Sequence, residues 1–330
     1  MGATLPELPR AAVGLEPRPR PAGPRGRSDG DRTLSRLPRH LITGSELSPA
    51  ELSALLDRAL ELKAEPHASR ALAGRSVALV FEQPSTRTRT SFEAGIVELG
   101  GHPMVLRPGE LQLTRGESVR DTALVLSRHV AVIGLRTGSE ETLAELAEHA
   151  EVPVVNLLSP EHHPCQALAD LLTMREAFGT LHGRRLTYVG DGNNVARSLA
   201  LVGALAGVEV TVAAPPAYQL EEGAGARLTD DPLAAAAGAD VLYADVWVSM
   251  SDDAATAGAR RSALGAYRID DALLDRAADG AIALHCLPAH PGEEITAEVL
   301  YGARQRIWDQ AENRRHAQKA LLEWLVAPER

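Results

Sequence analysis

The sequence predicts an α/β protein made of two doubly wound parallel-sheet domains with an active-site cleft between them. Three observations carry that expectation. The chain has 330 residues, roughly twice the ~150 of a common domain. From Arg39 onward, short apolar runs alternate with longer amphipathic segments, which is the pattern of βαβ units. The same rhythm then returns in the second half, and helices on both faces of a parallel sheet explain why its strands are nearly continuous apolar runs.

In chain order, Val77 to Phe81 is the first expected strand, and Pro84 and Ser85 make the turn after it. Thr88 to Leu99 follows as a helix ended by Gly100 and Gly101. Further strands are expected at Met104 to Leu106, Val130 to Leu135 and Val152 to Val155, with helices near Ser118 to Arg128 and Ser139 to His149. A long helix, Cys165 to Phe178, closes the half. The second half reads as strands at Arg185 to Val189, Val208 to Val212, Val241 to Ala244 and Ala281 to His285. Its helices are Asn194 to Ala206 and a final amphipathic segment, Ala311 to Val326. The expected division is a Pro/Arg-rich tail at 1–38, a first domain at 39–175, a second at 176–306, and a C-terminal helix at 307–330 that returns to the first. The tail, with Pro17-Arg18-Pro19-Arg20-Pro21 and no apolar period, reads as disordered. Its acidic residues and its lack of an apolar core do not suit a transit or signal peptide.

Composition narrows the function. A formal net charge of -10 argues against a nucleic-acid partner, while leaving room for a local Arg pocket that binds a small anion. Cys165 and Cys286 are too few for a disulfide framework, so a reducing cytoplasm is expected. No apolar run approaches the ~20 residues needed to span a bilayer.

In this fold ligands sit beyond the carboxyl ends of strands, so the loops there are searched first. After the first strand comes Ser85-Thr86-Arg87-Thr88-Arg89-Thr90, four hydroxyls and two guanidiniums where a strand becomes a helix. Unpaired N–H groups and the helix dipole favour an anion there, and the hydroxyls and Arg add donors. Arg89 can pair with Glu93 at i+4, leaving Arg87 for a ligand. Gly190-Asp191-Gly192-Asn193-Asn194 also joins a strand to a helix, but lacks the third glycine of a dinucleotide fingerprint. Taken singly, Asp245 is a strand-end turn residue, Met250 core filler and Cys286 a buried apolar side chain.

Together the motifs are specific. Ser85 to Glu93 resembles the carbamoyl-phosphate signature of the aspartate/ornithine carbamoyltransferase family, and His163-Pro164-Cys165-Gln166-Ala167-Leu168-Ala169-Asp170 resembles its second signature. Asp245-Val246-Trp247-Val248-Ser249-Met250 and His285-Cys286-Leu287-Pro288 resemble motifs of its ornithine branch. The resemblance covers Arg39 to the C-terminus. It implies a transferase that moves the carbamoyl group of carbamoyl phosphate to L-ornithine, giving L-citrulline and phosphate in arginine metabolism. The alternatives are another acceptor (aspartate, putrescine or an acylated ornithine) or a non-catalytic relative.

For carbamoyl phosphate the resemblance implies Ser85, Thr86, Arg87, Thr88, Gln112, Arg136, His163, Gln166, Cys286, Leu287 and Arg314. Gln112 would come, with Arg115 and Glu117, from a loop lent to a neighbouring subunit. Arg136, His163 and Cys286 are the implied catalytic groups: a His donor with Arg136 and Thr88 would stabilise the growing oxyanion. For ornithine it implies Asn194 at the carboxylate, Asp245 at the α-ammonium, and Ser249 and Met250 lining the pocket. The Leu287 carbonyl would accept from the carbamoyl nitrogen, and the Leu287-Pro288 bond is expected to be cis. The resemblance further implies a homotrimer or a multiple of one, and no metal or organic cofactor. Three departures stand out: Ser251 where ornithine enzymes carry Gly, Pro291 where a basic residue is common, and a Pro215 to Asp231 segment shorter by about a helix.

Overall fold

The computed structural model describes residues 38–112, 116–221, 225–248 and 255–327. Apart from Pro38, the expected tail lies outside the described residues, as do Arg115, Ser249, Met250 and Ser251.

Two sheets form, each wholly parallel. The first contains β1 (Ser76–Phe81), β2 (His102–Leu106), β3 (Val132–Arg136) and β4 (Val154–Leu158) in the order β2-β1-β3-β4. Every residue of β1 after Ser76 is buried, the mark of a strand covered on both faces. Its helices are α1 (Pro49–Ala64), α2 (Thr86–Glu98), α3 (Val119–Ser127), α4 (Glu140–His149) and α5 (Pro164–Phe178). Leu79, Phe92, Leu157 and Leu168 belong to one core, on the side of α1, α2 and α5. Val80, Leu135, Leu143 and Leu146 belong to another, on the side of α3 and α4. The expected strand at Val152 to Val155 lies two or three residues early, and Arg136 is the last residue of its strand instead of the first after it.

The second sheet contains β5 (Arg185–Val189), β6 (Glu209–Ala213), β7 (Arg227–Thr229), β8 (Val241–Ala244) and β9 (Ile282–His285), ordered β7-β6-β5-β8-β9. Around it lie α6 (Asn194–Leu205), α7 (Pro232–Ala236), α8 (Ala257–Leu264), α9 (Asp271–Leu274) and α10 (Ala297–Leu300). Among its described residues, the short Pro215 to Asp231 segment holds a 3-10 turn, Pro216–Tyr218, and the edge strand β7. Packing explains the glycine at position 192 in the loop after β5. A Cβ there would stand 2.6 Å from the Leu220 nitrogen, and the Gly192 N–H donates to the Tyr218 carbonyl at 2.7 Å.

The last helix, α11 (Ile307–Val326), packs on α5, α1 and α2. Gly95 lets it approach α2, since a Cβ there would meet the Lys319 Cγ at 3.2 Å. Lys319 is fully buried, and its ammonium donates to the Leu62 carbonyl at 2.9 Å, the Pro66 carbonyl at 3.2 Å and the Glu98 carboxylate at 2.5 Å. A buried charge is tolerated when each of its protons has an acceptor, as here. Among the described residues no helix is long and apolar enough to cross a membrane.

Candidate active site

In both sheets the strand order reverses beside the first strand, between β1 and β3 and between β5 and β8, which is where an open α/β sheet has its crevice. Most of the candidate residues among the described ones lie on strand ends or the loops after them, at these crevices or at the neighbouring ends of β4 and β9. At the first, Ser85 caps α2: its hydroxyl accepts from the Thr88 N–H at 3.3 Å. The Arg89 side chain turns away to Glu93 at 3.1 Å, as the i+4 spacing predicts. That leaves Arg87, whose guanidinium donates to the Leu287 carbonyl at 2.5 Å.

Two more guanidiniums join it. Arg136 ends β3, paired in register with Phe81. Arg314 reaches in from α11, donating to the Thr88 hydroxyl at 2.8 Å and to the Gln166 carbonyl oxygen. The Nε atoms of Arg136 and Arg314 are buried with no hydrogen-bond partner. Burial, with the charges of Arg314 and Arg87, pulls the Arg136 pKa down to about 10. Three mutually repelling cations with unspent N–H groups make a site poised for an anion.

Beside them, His163 caps α5 and is 5 % exposed, its backbone N–H donating to the Ser198 hydroxyl at 2.7 Å. Burial and the charges of Arg314, Arg136 and Arg87 hold the imidazole well below its usual pKa, so it is neutral at physiological pH. Its Nδ1 is buried without a partner. Neutral imidazole keeps one N–H, sufficient to donate to a carbonyl oxygen.

Across the cleft, Asp245 follows β8 and Cys286 follows β9. Asp245 Oδ1 accepts from the Cys286 thiol at 2.6 Å and from the Val246 N–H at 2.7 Å. Burial first, and then Asp245, push the Cys286 pKa well above its ordinary value, so the thiol stays protonated. Leu287 has φ 60, and the Leu287-Pro288 bond is cis, as the motif implies. Its N–H donates to His285 Nδ1 at 2.8 Å, while His285 Nε2 faces the buried Glu294 carboxylate at 3.1 Å. Asp245, His285 and Cys286 bring potential metal-ligand atoms within 4.8 Å of one another. Both His285 nitrogens and the thiol are already engaged, so the cluster is closed by its own hydrogen bonds.

Sequence reasoning missed some of these residues and could not give the contacts of others. Asn194 is half-buried and donates to the Ser159 carbonyl at 2.8 Å, bridging to the loop after β4. Its neighbour Asn193, given no role from sequence, caps α6 through Oδ1 and holds Asp245 Oδ2 with Nδ2 at 2.7 Å. Asp170, read only as the end of a signature, is fully buried between Gln166 and Gln310. Its i+4 spacing from Gln166 was the available signal. Gln112 is exposed on the loop after β2, its carbonyl accepting from the Glu117 N–H at 3.2 Å.

A doubly wound fold with an arginine pocket and neutral imidazole at one switch point, facing a buried carboxylate–thiol pair at the other, defines an enzyme that joins a small anionic substrate to a second one. The chain belongs to the aspartate/ornithine carbamoyltransferase family. Its carbamoyl-P binding domain matches residues 39–176 and its Asp/Orn binding domain residues 182–325. The chain is 56% identical to an ornithine carbamoyltransferase of Acidothermus cellulolyticus over 302 residues, covering 87% of this chain and 96% of that protein. It is 51% identical to one of Parafrankia sp. over 305 residues, with the same coverage. The crystal structure of ornithine carbamoyltransferase from Thermus thermophilus superposes with a TM-score of 0.82 at 45% identity, covering 88% of this chain and all of that one.

Proposed function

We propose that the chain transfers the carbamoyl group of carbamoyl phosphate to the δ-amine of L-ornithine, releasing L-citrulline and phosphate. The observation that carries this is the convergence of Arg87, Arg136 and Arg314 on His163 and Gln166, across from Asp245 and Cys286. The phosphate would lie at the α2 N-terminus, held by Ser85, Thr86, Arg87 and Thr88 with Arg136 and Arg314. Phosphate drawing Arg87 toward itself would free the Leu287 carbonyl to accept from the carbamoyl N–H. The neutral His163 N–H, Arg136 and Thr88 would face the carbamoyl oxygen, where negative charge grows.

The ornithine carboxylate would meet Asn194 and its α-ammonium Asp245, with Ser249 and Met250 lining the pocket. The δ-nitrogen, as free base, attacks the carbonyl carbon and forms the C–N bond. The tetrahedral intermediate then expels phosphate by breaking the C–O bond, and the leaving phosphate takes the amine proton. No side chain needs to act as a general base, so catalysis rests on proximity and preorganised charge.

A homotrimer fits this reading, placed in the cytoplasm and in arginine metabolism. A pocket of about 540 Å³ opens beside Ser85 and Thr86 toward β2, lined also by Val105, Arg107 and Pro108, and could receive a neighbour's loop bearing Gln112. The test is citrulline formation by purified protein with L-ornithine, putrescine and aspartate side by side. Putrescine has no carboxylate for Asn194, and aspartate brings an extra carboxylate toward Asp245. A buried polar group left unpaired discriminates by up to ~10^4-fold, so ornithine is expected to lead by orders of magnitude. Equal kcat/KM for either rival refutes the assignment.

A further inference from the structure

Asp170 lies one helical turn beyond Gln166 on α5 and has no exposed surface. One of its oxygens, Oδ1, accepts three side-chain donors from three elements. They are Gln166 Nε2 at 2.9 Å, Gln310 Nε2 of α11 at 2.7 Å and the Tyr243 hydroxyl of β8 at 3.3 Å. The other oxygen, Oδ2, is buried with no partner. At its far end, the Gln166 amide offers its carbonyl oxygen to Arg314.

The two ends of a glutamine amide are almost the same shape and opposite in chemistry. A guanidinium only donates, and a carboxylate only accepts. Placed at opposite ends of one amide, they dictate its orientation: oxygen toward the arginine cluster, NH2 toward Asp170. The oxygen has a second lone pair to give to a carbamoyl NH2, whereas a reversed amide would set NH2 against NH2.

We propose that Asp170 is a positioning residue for carbamoyl transfer. It holds the Gln166 carbonyl oxygen toward the carbamoyl nitrogen, and through Gln310 and Tyr243 it ties that setting to α11 and to the second sheet. Asparagine has Asp170's shape and cannot enforce the setting, because its own amide can turn and let Gln166 reverse. The proposal rests on the carbamoyl-transfer reading.

The experiment is a double-mutant cycle of D170N and Q166A, preceded by citrulline formation with the wild type. In D170N, kcat/KM for carbamoyl phosphate should fall about ten- to a hundredfold, the range for a hydrogen bond to a charged group. The KM for ornithine and the inhibition constant of inorganic phosphate should stay within about twofold, since the arginines remain in place. In the Q166A background, D170N should add almost nothing. If D170N yields no folded protein, Gln310→Leu, which removes one of the donors sharing Oδ1, should show a smaller loss that also vanishes in Q166A. Additive losses, or phosphate inhibition weakened as much as carbamoyl phosphate turnover, would overturn the positioning role. A wild type that makes no citrulline would overturn the function itself.

Discussion

Asp170→Asn should change stability in a way that depends on pH. Burial pushes this carboxyl from 3.8 up to about 7, against the pull of the Gln166, Gln310 and Tyr243 hydrogen bonds and of the Arg314 charge. A carboxyl whose pKa rises on folding favours the native state when protonated. Its contribution is whole below the unfolded pKa and erodes as pH climbs toward and past about 7. At ~1.4 kcal/mol per pKa unit the full swing is about 4 kcal/mol, of which between 2 and 3 kcal/mol, roughly, falls between pH 5 and pH 8. Asparagine has no such charge, so the stability of the mutant relative to wild type should climb by that amount over the interval. Any constant cost of the new amide cancels in the comparison. Tyr243 and Cys286, which also face Asp170, are pushed upward and His163 downward, and all three are common to mutant and wild type. The measurement is the urea midpoint of the ligand-free protein from pH 5 to pH 8 at one protein concentration. A difference between mutant and wild type that stays constant with pH would refute the reasoning. If it rises while turnover falls, Asp170 is a group retained for function at a cost in stability.

Arg87→Ala removes a charge-assisted donor worth ~1.5 to 3 kcal/mol, so kcat/KM for carbamoyl phosphate should drop at least about tenfold with the fold retained. Unchanged turnover in the folded variant would count against the phosphate pocket. The ornithine δ-amine resembles a lysine amine with a pKa near ~10.4, so activity at subsaturating ornithine should rise toward alkaline pH. Because the Cys286 thiol is held protonated, Cys286→Ser should keep that rise while raising the ornithine KM. Loss of the alkaline rise would instead assign it to the thiol. Asp245→Asn should erode the preference for ornithine over putrescine chiefly through ornithine, read from the same three-amine comparison.

Much of the fold was legible because buried parallel strands are short apolar runs, and β1, β5 and β8 lie within a residue of where such runs place them. The Ser/Thr/Arg loop was equally plain, since a capped helix start with surplus cations is a local pattern. Helix α1 escaped notice although Ser48 and Glu51 form a capping box around Pro49, a signal that was present in the sequence. The three-residue β7, with its exposed Arg227, has too little apolar character to announce itself. The setting of Asp170 was illegible for a different reason. Two of its three partners, Tyr243 and Gln310, stand 73 and 140 residues away, so only the folded chain brings them together. Asn193 shows the limit of reading loops by residue type: two adjacent asparagines take different tasks because α6 begins between them.

The position of α11 in the chain has a consequence for how the protein is made. This helix seals the first sheet's core against α1, α2 and α5, and it carries Arg314 into the anion pocket, beside Gln166 and Thr88, which lie 148 and 226 positions earlier. Domains tend to fold in the order in which they emerge during synthesis. Here the earlier-made sheet must wait, with the face beneath α11 uncovered, until α11 has left the ribosome. The phosphate site is therefore completed only once α11 has been made, and a product lacking α11 would have neither a closed first domain nor a finished arginine cluster.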